Sequence, residues 1–240
     1  MKAILYGIGL QFKLDIRSKT LLVTCYLVPL LFFMIMSGIF TSLMPDATQT
    51  LIQSMTIMGV SMGALIGVPP SMVEIYSTNI KKMYSANNVP LYFGIFTIVI
   101  SAFIHLMIMS FIIFIAAPII FHAFDTRKYS HFIFSSLALF IIVSLSISCV
   151  LGLAIKNQAK LTMFSQIVFL PSIMLSGIMF PSSFLPDLLE TIGKIFPATW
   201  GYTLLCQLDI NFFTFIPLLI IFSISFILIL LLLKKAQSES

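Results

Sequence analysis

The stretch LTMFSQIVFLPSIMLSGIMF, Leu161 to Phe180, is twenty residues long and carries no charge. A helix rises about 1.5 Å per residue, so this run covers a hydrocarbon core of ~30 Å. Directly after it the pattern changes. Pro181, Ser182 and Ser183 break the run, and LPDLLETIGKIF, Leu185 to Phe196, is too short to cross a bilayer. Leu185, Leu188, Leu189, Ile192, Ile195 and Phe196 share one helical face, and Asp187, Glu190, Thr191 and Lys194 take the other. Glu190 and Lys194 stand at i,i+4 spacing. Pro186 suits a first helical position and Pro197 gives the segment a stop. A short helix with one apolar face, placed after a span, lies in the membrane interface or dips into it. Trp200 and Tyr202 follow where interfacial aromatics are expected.

Composition carries the same conclusion to the whole chain. Of 240 residues, 60% are hydrophobic and 9% charged, with a mean hydropathy of +1.12. A soluble domain has about 25% charged residues, so this chain cannot cover a water-exposed surface. It is an integral membrane protein, with room for several spans and for no large soluble domain. The net charge of +5 does not point to nucleic acid, because the cations sit at the ends of apolar runs, where orientation determinants belong. Met1 to Lys19 lacks the apolar core and small-residue cleavage site of a signal peptide. Cys25, Cys149 and Cys206 are far apart and form no CxxC, which makes them free thiols packed as small hydrophobes.

Working outward, the N-terminal segment has an apolar stripe of Leu5, Ile8, Phe12 and Ile16 and a second line of Lys2, Lys13 and Arg17. It is expected to form an interfacial helix whose cations meet lipid headgroups. Spans are expected near Leu21–Phe40, Leu51–Val73, Leu91–Phe121, Phe132–Ile155, Leu161–Phe180 and Phe212–Leu233. Span two carries Gly59, Gly63 and Gly67, a small-residue column that permits close helix packing, and Pro69-Pro70 should break or kink it near its end. EIYSTNIKKMYSANNVP, Glu74 to Pro90, joins spans two and three. Tyr76, Ile80, Met83 and Tyr84 are placed to share a helical face there, with Lys81 and Lys82 its only cations.

A cytoplasmic N-terminus puts ten cations on one side: Lys2, Lys13, Arg17, Lys19, Lys81, Lys82, Lys156, Lys160, Lys234 and Lys235. The other side has Arg127, Lys128 and Lys194. By the positive-inside rule both termini are cytoplasmic and the Leu185–Phe196 helix is external.

Much chemistry is missing. There is no GxxxxGK[ST] phosphate loop, no HExxH and no cluster with metal-ligand spacing. The span interiors hold no Asp, Glu, Lys or Arg, which disfavours an ion-coupled carrier. His105 lies within span three. A bond to a neighbouring helix suits it better than a proton relay, since no carboxylate partner is evident in the spans. The serines of the spans serve helix packing. Met34, Met36, Met55, Met58 and Met62 could instead line an adaptable apolar path.

The completed order is an amphipathic N-terminus, six spans, a loop after span two and an outer amphipathic hairpin between spans five and six. It resembles the membrane subunit of ABC-2 type (type V) ABC exporters. Ser176-Gly177-Ile178-Met179-Phe180-Pro181, then Leu185-Pro186, then Phe196-Pro197-Ala198-Thr199 is similar to that family's SG-x-x-[FY]-P … LP … P-[LA]-T signature. The resemblance implies an all-α fold: residues 1–19 a connecting helix, 20–235 a six-helix transmembrane domain with a short extracellular re-entrant hairpin, and 236–240 a cytoplasmic tail. It implies a permease and not an enzyme, with no cofactor in this chain and ATP and Mg2+ on a separate cytoplasmic ABC ATPase present in two copies. A second permease subunit, the same chain or a similar one, and the lipid bilayer complete the partners. Coupling to the ATPase would fall to Glu74, Tyr76, Ile80, Lys81, Lys82, Met83 and Tyr84, with Lys13 and Arg17 of the connecting helix. Where the family often has a Gly-Thr pair and a basic run, this chain has Thr78-Asn79 and Lys81-Lys82. An extracellular gate and pathway would involve Phe180, Pro181, Leu185, Trp200, Met58 and Met62. The implied location is the plasma membrane of a prokaryotic cell. The other reading is a membrane immunity or assembly protein that binds a ligand or partner without pumping.

Overall fold

The computed structural model describes residues 2–43, 50–121, 130–179, 184–207 and 212–238. Among them the regular structure is helical: α1 Lys2–Arg17, α2 Lys19–Leu22, α3 Val28–Leu43, α4 Leu51–Met62, α5 Pro69–Tyr76, α6 Asn79–Ala86, α7 Tyr92–Phe121, α8 Ser130–Ala154, α9 Gln158–Met174, α10 Asp187–Gly193, α11 Pro197–Cys206 and α12 Phe212–Ser238. Five stretches are long and apolar enough to cross a membrane: Lys19–Ile39, Leu51–Tyr76, Tyr92–Ile120, Phe134–Ala154 and Phe213–Ser238. The expected fifth span is the shorter α9, with 17 residues, about 26 Å of helix and the lower limit for crossing. It stops at Met174 instead of Phe180. The chain then reverses through a turn in which Gly177 takes φ 83°, a left-handed conformation that costs glycine little.

The second span is the centre of the bundle, 89% buried, whereas the last is 11% buried and is exposed along most of its length. Its glycine column makes that central place possible. A Cβ on Gly59 would come within 2.7 Å of Met109, one on Gly63 within 2.4 Å of Leu106, and one on Gly67 within 2.8 Å of Thr24. Spans one and three therefore close on span two from two sides. Phe140, Ile141 and Leu145 of α8 add to the fully buried core.

The proline pair does not break span two. A proline has no N–H, and its ring clashes with the carbonyl four residues back. The helix answers by widening one turn ahead, at the π-helical Gly63–Gly67, where the Val68 N–H donates to the Gly63 carbonyl at 3.2 Å. Span one does the same ahead of Pro29. Its Val23–Leu27 turn is also π-helical, and the Val28 N–H donates to the Val23 carbonyl. The two wide turns face each other, with the Cys25 thiol 3.9 Å from the Gly63 carbonyl. Each helix thus runs on past its proline.

The N-terminal helix differs from the expected stripe. Leu5, Leu10, Leu14 and Ile16 are exposed, and Asp15 is buried. α1 lies along the first half of α7, with Gly7 against Phe93 and Thr97. Ser18 ends it and caps α2 by accepting from the Leu21 N–H. The end of α12 borders the start of α7 as well, where Tyr92 and Lys234 line one crevice. The two ends of the described chain therefore share one side of the bundle.

Candidate coupling surface

The loop after span two is built as a braced unit. At the end of α5 the Thr78 hydroxyl donates to the Glu74 carbonyl at 2.6 Å and accepts from the Ile80 N–H at 3.3 Å, which starts α6. At the other end Asn88 takes φ 53°, and the Val89 N–H reaches back to the Tyr84 carbonyl at 2.9 Å. This is a helix stop closed by a left-handed residue, a role that asparagine fills when glycine does not. The Asn87 side chain satisfies the Met83 carbonyl at 2.8 Å.

Tyr76 does not share a face with Ile80, Met83 and Tyr84, as the spacing had suggested. The helix is interrupted at Ser77–Thr78, so Tyr76 belongs to α5 and is buried. Its hydroxyl donates to the Leu91 carbonyl and accepts from the Ile95 N–H at 3.1 Å, the i,i−4 pair that opens α7. Tyr76 thereby ties the end of span two to the start of span three. Tyr84 leans over Gly94, 3.3 Å from where a Cβ would stand. Burial pushes its hydroxyl above the ordinary phenol value, so it stays neutral. Lys81 is tucked in, Ile80 is half-buried, and Lys82 and Met83 are exposed. Glu74 is exposed too, on the rim of a polar cleft of about 480 Å³ that brings together Ser18, Ser77, Thr78, Lys156 and Gln158. The cleft joins three chain reversals: α1 to α2, α5 to α6, and α8 to α9. Lys13 and Arg17 are exposed on α1 and do not line it.

A second polar cluster escaped the sequence reading. The Asp15 carboxylate accepts from the Ser101 hydroxyl of α7 at 2.5 Å and from the Gln11 side-chain amide at 2.8 Å. One turn further along α7, His105 stacks on Phe12 at a ring distance of 4.4 Å. Its Nδ1 shares a hydrogen bond with the Tyr26 hydroxyl at 2.7 Å. His105 is thus bonded to a neighbouring helix, as its lone position suggested. A carboxylate does reach its vicinity, but from the N-terminal helix and not from a span. The signal was present: Gln11, Asp15 and Ser18 form a polar row at helical spacing, and Asp15 is the one acid among the first forty-five residues. Sorting the segment by its apolar stripe hid that row.

On the far side, α10 begins after Pro186, which stands just ahead of the helix and not inside it. Glu190 and Lys194 form the expected ion pair at 2.9 Å. Leu188 and Ile195 are about 70% exposed, so the apolar edge of this short helix points outward. α10 stops at Gly193, ahead of Pro197; the proline instead opens α11, a helix that the sequence reading did not separate. The Thr199 hydroxyl donates to the Gly193 carbonyl at 2.6 Å, and the Trp200 indole donates to the Lys194 carbonyl at 2.7 Å. α11 thus holds the last carbonyls of α10. It also dips inward. A Cβ on Gly201 would come within 2.4 Å of Phe140, ten residues or about 15 Å along α8. Of the expected gate residues, Leu185 and Trp200 are half-buried here, and Phe180 and Pro181 lie outside the described residues. Met58 is packed in the core, with Met62 against it. The described residues contain no cluster of His, Cys, Asp or Glu that could hold a metal.

No curated protein matches the chain. The sequence model of the ABC-2 type transporter family matches residues 4–210, a region that takes in most of α1, the loop after span two, α9 and the α10–α11 hairpin. This multi-pass membrane protein belongs to the ABC-2 type transporter family and is a permease component of an ABC transport system.

Proposed function

We propose that the chain is one of two membrane subunits of an exporter. It moves substrate outward across the plasma membrane of a prokaryotic cell, driven by two cytoplasmic ATPase subunits that bind ATP and Mg2+. Both termini are cytoplasmic in this reading, α1 is the connecting helix, and the second permease subunit is this chain or a similar one. The observation that carries it is the bracing of α6. A thrust on a slack loop would be absorbed there. Here the Thr78 turn fixes α6 to span two, the Asn88 stop fixes it to span three, and Tyr76 joins those two spans directly. Force applied at Lys82 and Met83 is passed to the central helix of the bundle and to its neighbour. Glu74 and the polar cleft extend the contact area, and Lys13 and Arg17 offer α1 to the same partner. At the opposite end the α10–α11 pair, with Leu185, Trp200 and the Phe180-Pro181 segment, serves as the external gate, while Met58 and Met62 lie along the pathway.

The test is co-purification from mild detergent followed by an ATPase assay. Lys82→Glu combined with Met83→Asp is expected to weaken retention of the ATPase about tenfold or more, the scale of losing a well-packed interface contact. The melting temperature of the permease should hold, because both side chains are exposed. Unchanged association would move the coupling site elsewhere. No ATPase, even after crosslinking in intact membranes, would remove the motor and with it the exporter.

A further inference from the structure

One crevice lies outside the coupling surface and the outer hairpin. It opens between α7, α8 and α12 with a volume of about 790 Å³. Tyr92 and Val99 of α7, Cys149 of α8 and Phe222 of α12 mark its walls, and Lys234 and Gln237 stand at its end. From Phe222 to Lys234 is twelve residues of helix, about 18 Å, against about 15 Å for half of the hydrocarbon core. The crevice is therefore one leaflet deep. Its walls are apolar and its mouth is cationic, with exposed Lys235 beside Lys234. The mouth is on the side that carries both chain ends and most of the cations.

We propose that this crevice is a binding site for one anionic phospholipid, drawn from the leaflet on the side of the chain termini. An acyl chain lies between α7 and α12 down to Phe222, and the phosphate rests against the Lys234 ammonium. The Tyr92 hydroxyl stands at the same level for the headgroup or glycerol oxygens. The charge at the mouth selects an anionic headgroup over a zwitterionic one, and the depth selects a lipid over a soluble anion such as free phosphate. An ordinary annular lipid rests on a convex helix face; here residues of three helices line a crevice open on one side. The lipid also bridges elements distant in sequence, because α12 follows the outer hairpin and α7 follows the coupling helix.

The experiment uses the complete chain, stripped of lipid in mild detergent. It is titrated with mixed micelles of phosphatidylglycerol or phosphatidylcholine, and bound lipid is read by native mass spectrometry. Wild-type protein should retain one phosphatidylglycerol in preference to phosphatidylcholine. Lys234→Gln should weaken phosphatidylglycerol about fivefold, the effect of one cation beside an anionic surface, and leave phosphatidylcholine unchanged. Val99→Trp fills the crevice and should abolish the retained lipid, whereas Ile167→Trp on the exposed face of α9 should not. Equal retention of the two lipids by wild type would overturn the anionic assignment. Equal losses in Val99→Trp and Ile167→Trp would reduce the lipid to an annular one and overturn the site. Lys234 is exposed, so its replacement leaves the fold intact and decides the headgroup question even if the tryptophan variant proves unstable.

Discussion

Asp15 is the residue on which the N-terminal helix turns. A buried carboxylate is costly unless its oxygens are engaged, and here Ser101 and Gln11 engage one oxygen each. Ser101→Ala should therefore destabilise the purified protein by about 1–3 kcal/mol, the cost of leaving a buried acceptor unmade. Lys13→Ala on the exposed side of the same helix should stay within about 0.5 kcal/mol. Thermal unfolding in detergent measures both, and a neutral Ser101→Ala would show that the carboxylate draws its support from elsewhere. His105 belongs to the same knot. It links α1 through Phe12 and span one through Tyr26, so three elements meet at its ring.

At the level of elements, α10 is held from behind by α11. Replacing the bonds to Gly193 and Lys194 with Thr199→Val and Trp200→Phe should each cost about 0.5–1.5 kcal/mol. Amide exchange should then rise in α10 and remain unchanged in α9; protection unaltered in the double variant would mean that packing alone seats the helix. Five of the six expected spans were legible from length and hydropathy; the uncharged run Leu161–Phe180 was read as a full span, but its helix stops at Met174. The glycine column also declared its purpose through its spacing. Three features were not legible. Pro69-Pro70 announces a break, but it cannot announce that a wide turn ahead will absorb the clash. Pro197 was read as the stop of one helix, but α10 ends before it at Gly193 and the proline begins the next helix. At the loop after span two, Tyr76 carries an apolar ring that suits a docking face. Whether it points to a partner or back into the protein depends on where Leu91 and Ile95 lie, and that is tertiary information.

For the whole molecule, the same-side placement of the chain ends follows from α1 and the end of α12 meeting at the start of α7. In the orientation proposed above, with ten cations on that side, the positive-inside rule expects it to face the cytoplasm. Cysteines introduced at Lys2 and Ser238 should therefore resist an impermeant maleimide in intact cells, and one at Asp187 should react. The background is low, since Cys25 and Cys149 are buried, and Cys206→Ala removes the half-buried third thiol. Labelling of all three sites from outside, or of Lys2 and Ser238 on opposite faces, would overturn the topology. The family match gives the molecule its place in an ABC system, and the bracing of α6 gives that placement a mechanical sense.

The paired wide turns have a bearing on how this protein can vary. A π-helical turn holds one residue more than the α-helix on either side of it, so Gly63–Gly67 and Val23–Leu27 each carry a spare residue inside a packed transmembrane helix. Removing one there leaves the faces before and after in their old alignment, whereas a deletion elsewhere in span two rotates every later side chain by about 100° away from its partner. Variation in these two spans is therefore expected in length as well as in substitution. Gains and losses of single codons are expected to gather at these two turns, in a region where a buried helix otherwise tolerates none.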